Sequence, residues 1–213
     1  TVTPYVLPPD SPNLRMLAAT VNEEQRKKYL APYVAGQTVS AIGISEPGAG
    51  ADPAGMITRA VRQGDQWVIN GRKIWVSRAA EADFTILMAV TDKSAGSRGG
   101  ISAFLVDQGT PGFNVVRRIP MIGGHVTYEI ALEDCRVPAN NLLGKEGNGF
   151  APMQLRLSTR RLQMASWCLG LAQRSLDMIR EYAPQRKTFG APLSERQAIH
   201  AVFLERIDEL MRD

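Results

Sequence analysis

The 213 residues are 44% hydrophobic and 22% charged, enough apolar material for one large core or two small ones and ordinary for a folded globular chain. Lys+Arg 25 against Asp+Glu 21 gives a net charge of +4, yet the basic residues are scattered or paired, as in Arg117-Arg118 and Arg160-Arg161, with no aromatics interleaved; this argues against nucleic acid and leaves phosphate-bearing small molecules open. Two cysteines, Cys135 and Cys168, no basic leader with an apolar core, and no apolar run approaching ~20 residues argue against a disulfide scaffold, a secretory signal and a membrane span, so the cytoplasm is the default location. The proline-rich start without Met and the charged helical pattern that is still running at Asp213 make the sequence read as a fragment.

After the proline-rich lead, residues 13–19 supply one or two apolar turns, and Asn22-Glu23-Glu24-Gln25 has the form of a capping box opening a helix that Pro32 is expected to end. From Ser40 the period changes from helical to alternating. Residues 40–45, 58–63, 66–69, 73–77, 84–91, 101–107, 113–118 and 126–132 read as strands. Gly64-Asp65 and Asn70-Gly71 read as hairpin turns, 96–100 as a flexible loop, and Pro111-Gly112 and Gly123-Gly124 as strand ends. About eight strands without helices between them predict an antiparallel β-barrel or sandwich, not a doubly wound sheet. The helical period then returns. Leu162, Leu169 and Leu176, with Ala165, Ala172 and Ile179 between them, mark one long helix ending before Pro184. A second helix is expected from the Ser194-Glu195-Arg196-Gln197 capping box, burying Ile199, Val202, Phe203, Ile207 and Leu210. The fold class is therefore α+β and multi-domain: helices over 1–39, a β-domain over 40–147 and helices over 148–213.

Within this order one stretch combines strand and ligand-loop chemistry. Ile42-Gly43-Ile44-Ser45 alternates like a half-buried strand and breaks into Glu46-Pro47-Gly48-Ala49-Gly50-Ala51-Asp52, whose small residues let backbone N–H groups approach a phosphate-bearing cofactor. Pro53 stands where a dinucleotide fingerprint needs its third glycine, and no Gly-Lys-Ser/Thr follows as in a P-loop. Taken alone, such a loop is more often a plain turn, and a strand tryptophan such as Trp75 more often fills a core. Among possible acids and bases, Glu129 and Glu146 read as solvated carboxylates and His125 as a surface turn residue. No His, Cys and carboxylate cluster at metal-ligand spacing appears.

Taken together, these motifs resemble those of the acyl-CoA dehydrogenase family. Glu46-Pro-Gly-Ala-Gly-Ala-Asp52 is similar to its Thr-Glu-Pro-x-Ala-Gly-Ser-Asp motif, and Asn70-Gly-Arg-Lys-Ile-Trp75-Val-Ser77 to the segment after it. Gly100-Ile-Ser-Ala-Phe-Leu-Val106, Pro111-Gly-Phe113, Arg136-Val-Pro138, Asn141-Leu-Leu-Gly144, Gly147-x-Gly149-Phe150 and Arg186-x-Thr188-Phe189-Gly190 with Gln197 follow in the family's order.

The resemblance implies FAD as cofactor and α,β-desaturation of an acyl-CoA thioester, with the hydride passing to flavin N5 and the electrons to an electron-transfer flavoprotein or another acceptor. It places Ile42, Ile44 and Ser45 beside the flavin, Trp75 against its ring face, and Val76 and Ser77 near N5. Arg186, Thr188, Phe189 and Gln197 become contacts to FAD across a subunit interface, which implies a homo-oligomer, a dimer or tetramer. Substrate positions fall on Ala51, Ser158 and Arg161, where Ala51 and Ser158 replace the family's usual serine and acid. The family's two positions for the catalytic base fall at Arg160, which stays protonated, and beyond Asp213, so the base is expected downstream. The location this implies is cytoplasmic, or the mitochondrial matrix in a eukaryote. A flavin oxidase or monooxygenase, a nucleic-acid-associated relative, or a non-catalytic flavin-binding module stand as alternatives. The apolar stripe on the last helices predicts self-association.

Overall fold

A computed structural model describes residues 11–199 and 201. The described residues fall into two compact units, one ending at Arg160 and one beginning at Arg161. In the first unit, α1 (Ser11–Thr20) is followed by α2 (Glu23–Gln25), a π-helical stretch (Arg26–Leu30) and α3 (Ala31–Val34). The Asn22 capping box forms as expected: Asn22 accepts from the Gln25 N–H, and the Gln25 side chain accepts from the Asn22 N–H. Pro32 does not end the helix. The wider π turn resets the hydrogen-bonding frame, so Pro32 falls in the first turn of α3, where a missing N–H has no helical partner to lose.

Eight strands then form one sheet: β1 (Ser40–Gly43), β2 (Arg59–Gln63), β3 (Gln66–Ser77), β4 (Phe84–Val90), β5 (Ile101–Asp107), β6 (Phe113–Pro120), β7 (Val126–Pro138) and β8 (Leu142–Leu143). Their order is β6-β7-β3-β2-β4-β5-β8, with β1 added on β4. The barrel alternative falls away, because β6 and β8 end an open sheet. Most pairings are antiparallel as predicted, but β1 and β2 both lie parallel to β4. The cause is the chain between β1 and β2, long enough to make a crossover instead of a hairpin.

Strands β4 and β5 are buried on both faces, which their continuous apolar runs require. Leu87, Ala89, Phe104 and Val106 face Trp67, Ile69, Ile130 and Val137 of β3 and β7. Ile86, Met88, Ala103 and Leu105 face Met16, Leu17, Tyr29 and Leu30 of the helices, together with Met153. Two cores thus share one pair of strands.

Gly64-Asp65 makes the expected tight turn between β2 and β3, with Gly64 at φ +62°. Asn70-Gly71 does not turn. Both residues lie inside the twelve-residue β3, opposite a bulge in β7 at Asp134 (φ +48°). Asn70 fastens that bulge: its Oδ1 accepts the Asp134 N–H at 2.8 Å and its Nδ2 donates to Asp134 Oδ1 at 3.1 Å. The expected flexible loop at 96–100 is instead a short helical turn, α4 (Gly96–Gly99), closed by Gly100 N–H to Gly96 O.

The long helix α5 (Phe150–Tyr182) begins in the first unit and continues into the second, ending ahead of Pro184 as predicted. In the second unit Leu162, Leu169 and Ile179 are exposed, so the apolar stripe is uncovered. A two-stranded hairpin follows, β9 (Lys187–Thr188) and β10 (Ala191–Pro192). The Ser194 box does not form a helix start: Leu193–Glu195 is a 3-10 turn, Arg196 is extended, and helical residues begin at Gln197. Ile199 is half-buried, whereas Val202, Phe203, Ile207 and Leu210 lie outside the described residues.

Gly71 passes Thr58 so closely, at φ +149°, that a Cβ would meet Thr58 Cα at 2.7 Å. Gly71→Ala is expected to lower stability by about 1–3 kcal/mol through overpacking, read as a lower urea midpoint with unchanged slope; a midpoint equal to wild type would contradict this register.

Candidate active site

Strand β1 runs into the Glu46 loop beside β3. Pro47-Gly48 is a tight turn closed on both sides, with Glu46 N–H to Ala49 O at 2.8 Å and Ala49 N–H to Glu46 O at 3.2 Å. Two of the loop's N–H groups are therefore consumed internally and are not offered to a ligand. The flanking residues Ile42 and Ile44 are half-buried against the helix-side core, and Ser45 is half-buried with its carbonyl accepting the Ile74 N–H at 2.9 Å. That bond places Ser45 next to Trp75.

Trp75 is displayed by a bulge. Between Lys73 and Val76, β3 carries one residue more than β7, and Trp75 takes φ +62° with its side chain 53% exposed. A bulky residue in the left-handed region is a true outlier, and it persists only where the surroundings over-determine it. Val76 turns inward to the sheet core, and Ser77 lies half-buried with its Oγ 3.2 Å from His125 Nε2. His125 is exposed as expected, but it belongs beside Ser77.

The interaction behind this arrangement was not read from the sequence. Lys73 Nζ lies 2.8 Å from Glu46 Oε1, with side-chain exposures of 0% and 2%. Glu46 also accepts the N–H groups of Ile57 at 2.7 Å and Thr58 at 2.9 Å, and Lys73 donates to Ile44 O at 3.1 Å. Burial alone would raise the Glu46 carboxyl, but Lys73 and these donors outweigh it and hold the group below the usual carboxylate range. Burial pulls the Lys73 ammonium down to about 8 despite the attraction of Glu46. One signal for the pair was present: Lys73 has the strand parity of inward-facing Trp67 and Ile69.

A second polar link fixes the base of β1. Arg156 of α5 donates from Nε to Asn13 Oδ1 at 2.7 Å, and Asn13 donates to Ser40 Oγ at 2.9 Å. Burial and the nearby Arg160 push the Arg156 guanidinium down to about 10.

Glu129 is not solvated as expected. It is buried between Arg72 (3.3 Å) and Arg117 (2.9 Å) and so has a structural partner on each side, while Glu146 is exposed. Of the substrate positions in the first unit, Ala51 is exposed on the loop and Ser158 is exposed with its hydroxyl donating back to Gln154 O at 2.9 Å.

The remaining predicted residues belong to the second unit. Arg161 is exposed on α5. Arg186, Thr188 and Phe189 lie on the β9–β10 hairpin, whose two central residues, Phe189 (φ +51°) and Gly190 (φ +79°), both take positive φ, the pattern of a type I′ turn. The Phe189 ring is 99% exposed, with the Arg196 guanidinium 5.9 Å from its centre, and Gln197 is exposed at the start of the next helical residues.

Residues 41–135 match the sequence model of the acyl-CoA dehydrogenase middle domain, and residues 147–206 match that of the acyl-CoA dehydrogenase C-terminal domain. The chain belongs to the acyl-CoA dehydrogenase family. It is 42% identical to the (R)-benzylsuccinyl-CoA dehydrogenase of Thauera aromatica over 92% of its own length and 48% of that protein's. Among solved structures it resembles butyryl-CoA dehydrogenase from Megasphaera elsdenii, with a TM-score of 0.82 and 37% identity over 90% of this chain and 51% of that one. A glutaryl-CoA dehydrogenase from Mycobacterium smegmatis, in complex with FADH2, gives a TM-score of 0.80 and 32% identity over 91% of this chain and 49% of that one. The chain thus spans about half the length of the curated relatives it matches.

For this acyl-CoA dehydrogenase segment, removing one member of the ion pair strands the other. Lys73→Met is expected to cost about 3–5 kcal/mol at pH 7, and adding Glu46→Gln to recover part of that cost, because the glutamine carries no charge but keeps one acceptor for the two N–H groups of Ile57 and Thr58. A carboxyl whose folded value is depressed contributes stability that is complete above its unfolded value and is lost as pH falls through the folded one. Urea midpoints between pH 3 and 7 should therefore fall more steeply toward acid in the wild type than in Glu46→Gln/Lys73→Met, which carries neither titrating group; parallel curves would refute the assignment.

Proposed function

We propose that this chain supplies the flavin-binding middle of a FAD-dependent acyl-CoA dehydrogenase: the end of an N-terminal helical domain over 1–39, the middle β-domain over 40–147 and the first helices of a C-terminal bundle over 148–213. The observation that carries the reading is Trp75, held in a left-handed conformation and left half-exposed beside Ser45. A core tryptophan needs neither the strain nor the exposure. A large rigid apolar plate with a polar strand edge next to it suits one face and one edge of a flat heteroaromatic ring. The FADH2 named for the similar Mycobacterium smegmatis structure supports the same cofactor.

In this reading Ile42, Ile44 and Ser45 line the ring edge, Trp75 packs on its face, and Val76 and Ser77 border the reacting nitrogen. Arg186, with its five fixed donors, pairs with a pyrophosphate of a second copy's cofactor, and Thr188, Phe189 and Gln197 complete that contact, so the assembly is a homo-oligomer. Bound FAD supplies the hydride acceptor for α,β-desaturation of an acyl-CoA thioester. Ala51, Ser158 and Arg161 face the thioester's carrier, and Arg161 keeps the cationic contact that suits a phosphate. Ala51 has no hydroxyl, and the Ser158 hydroxyl bonds its own helix, so the CoA contacts here rest on fewer polar groups than the family motif provides. A carboxylate base is expected outside this segment, because Arg160 stays protonated and Glu46 and Glu129 are committed to ion pairs.

The test is a titration of FAD into the protein, followed by visible absorbance and by anaerobic addition of acyl-CoA to the complete enzyme. A yellow 1:1 complex is expected, bleached by acyl-CoA. Trp75→Ala should weaken FAD binding about ten-fold, the upper range of an aromatic stacking pair. Wild-type affinity in that variant would remove Trp75 from the flavin face.

A further inference from the structure

Apolar residues of equal size stabilise an interior as well as a buried ion pair does, so the Glu46–Lys73 pair calls for a reason other than stability. Its geometry supplies one. The bonds that leave the pair end on two segments: Lys73 Nζ on Ile44 O, next to Ser45, and Glu46 Oε2 and Oε1 on the N–H groups of Ile57 and Thr58, where Thr58 packs on Gly71 with its hydroxyl on Arg72 O. Ser45 and Trp75 lie immediately beyond, joined by Ile74 N–H to Ser45 O. The aliphatic stem of Lys73 crosses the β1 backbone at Gly43, where a Cβ would lie 3.2 Å from Lys73 Cγ, so β1 and β3 are in contact at this point without being paired strands. One backbone bond, Ile74 N–H to Ser45 O, ties them here, and no ladder continues from it.

We propose that the Glu46–Lys73 pair is the clasp that sets the spacing between the Ser45 edge and the Trp75 plate, making both residues positioning residues for the flavin. The inference rests on the FAD reading given above. A pair of methionine-like side chains would fill the same space yet allow the Ile44–Glu46 stretch, which lies past the β1–β4 ladder, to shift against β3. Charge-assisted bonds fix both distance and direction. The bulge that strains Trp75 begins at Lys73 itself, so an anchored Lys73 is what lets the next two residues leave the regular strand path.

The experiment uses Glu46→Gln/Lys73→Met, which removes both charges at nearly constant side-chain length, and reads the Trp75 indole N–H signal by NMR, assigned from its loss in Trp75→Phe. The double variant should fold like the wild type by circular dichroism, with the Trp75 signal displaced and FAD affinity reduced about ten-fold or more. An unmoved Trp75 signal, or an affinity within about two-fold of wild type, overturns the clasp. The indole signal is read without cofactor, so it judges the clasp even where wild-type protein takes up no FAD, an outcome that instead removes the flavin reading. Should the variant fail to fold, hydrogen exchange of the wild type decides. Coupling is reciprocal, so FAD must increase protection of the Ile57, Thr58 and Ile74 amides, and unchanged exchange at all three overturns the proposal.

Discussion

The arrangement of the site depends on one buried ion pair. Lys73 and Glu46 have almost no contact with solvent, and a charge in that position persists only with a partner and with its remaining bonding capacity satisfied. The carboxylate meets this requirement through two backbone N–H groups of the segment leading into β2, and the ammonium through the carbonyl at the end of β1. One interaction therefore joins the end of β1, the entry to β2 and the middle of β3. Of these, β2 and β3 are also joined by their hairpin ladder, whereas the end of β1 is not paired with either as a strand. The cores above and below β4 and β5 supply most of the burial, but they act on the sheet as a whole and do not specify where the Glu46 loop stops.

Much of the fold was legible in the sequence because its signals were local. The Asn22 capping box, the Gly64-Asp65 turn, the end of α5 before Pro184 and the change from helical to alternating period each depend on residues within one turn or one strand. The failures share an opposite cause. Asn70-Gly71 carries the strongest short-range turn pair, yet the chain runs straight through it, because Asn70 uses its amide to fasten the bulge at Asp134, 64 residues away. Ser194-Glu195-Arg196-Gln197 has the composition of a helix start, yet the Ser194 N–H bonds Ala183 O and holds the segment in a 3-10 turn. In each case a tertiary bond overrode a correct local preference.

The site was legible in part for the same reason. Motif order along the chain identified the family, and the family matches over 41–135 and 147–206 bear that out. What motif order could not convey was the part played by the residues between the recognisable ones. Lys73 passed as one letter in a strand motif, and Glu46 as one letter in a loop. Only burial shows that they form a pair, and only the register of β3 on β7 shows why the next two residues leave the strand. The Arg156–Asn13–Ser40 chain was hidden likewise, since it links three elements that no local pattern connects.

Two aromatic residues, one in each unit, show where the chain accepts strain. Trp75 and Phe189 both take positive φ, a region that disfavours a large side chain, and both hold their rings in solvent. Glycine or asparagine would relieve the backbone at either position, and burial of the ring would recover apolar surface. Neither relief is taken. The scaffolds that impose the strain differ: for Trp75 a bulge anchored by the ion pair, for Phe189 a two-residue hairpin whose turn requires positive φ at both centres. The strain is therefore held by the scaffold within each unit and not repaid by burial of the ring. Each displayed ring is thus fixed by its own unit, by bulge register in one and by turn geometry in the other, and the two need no common cause.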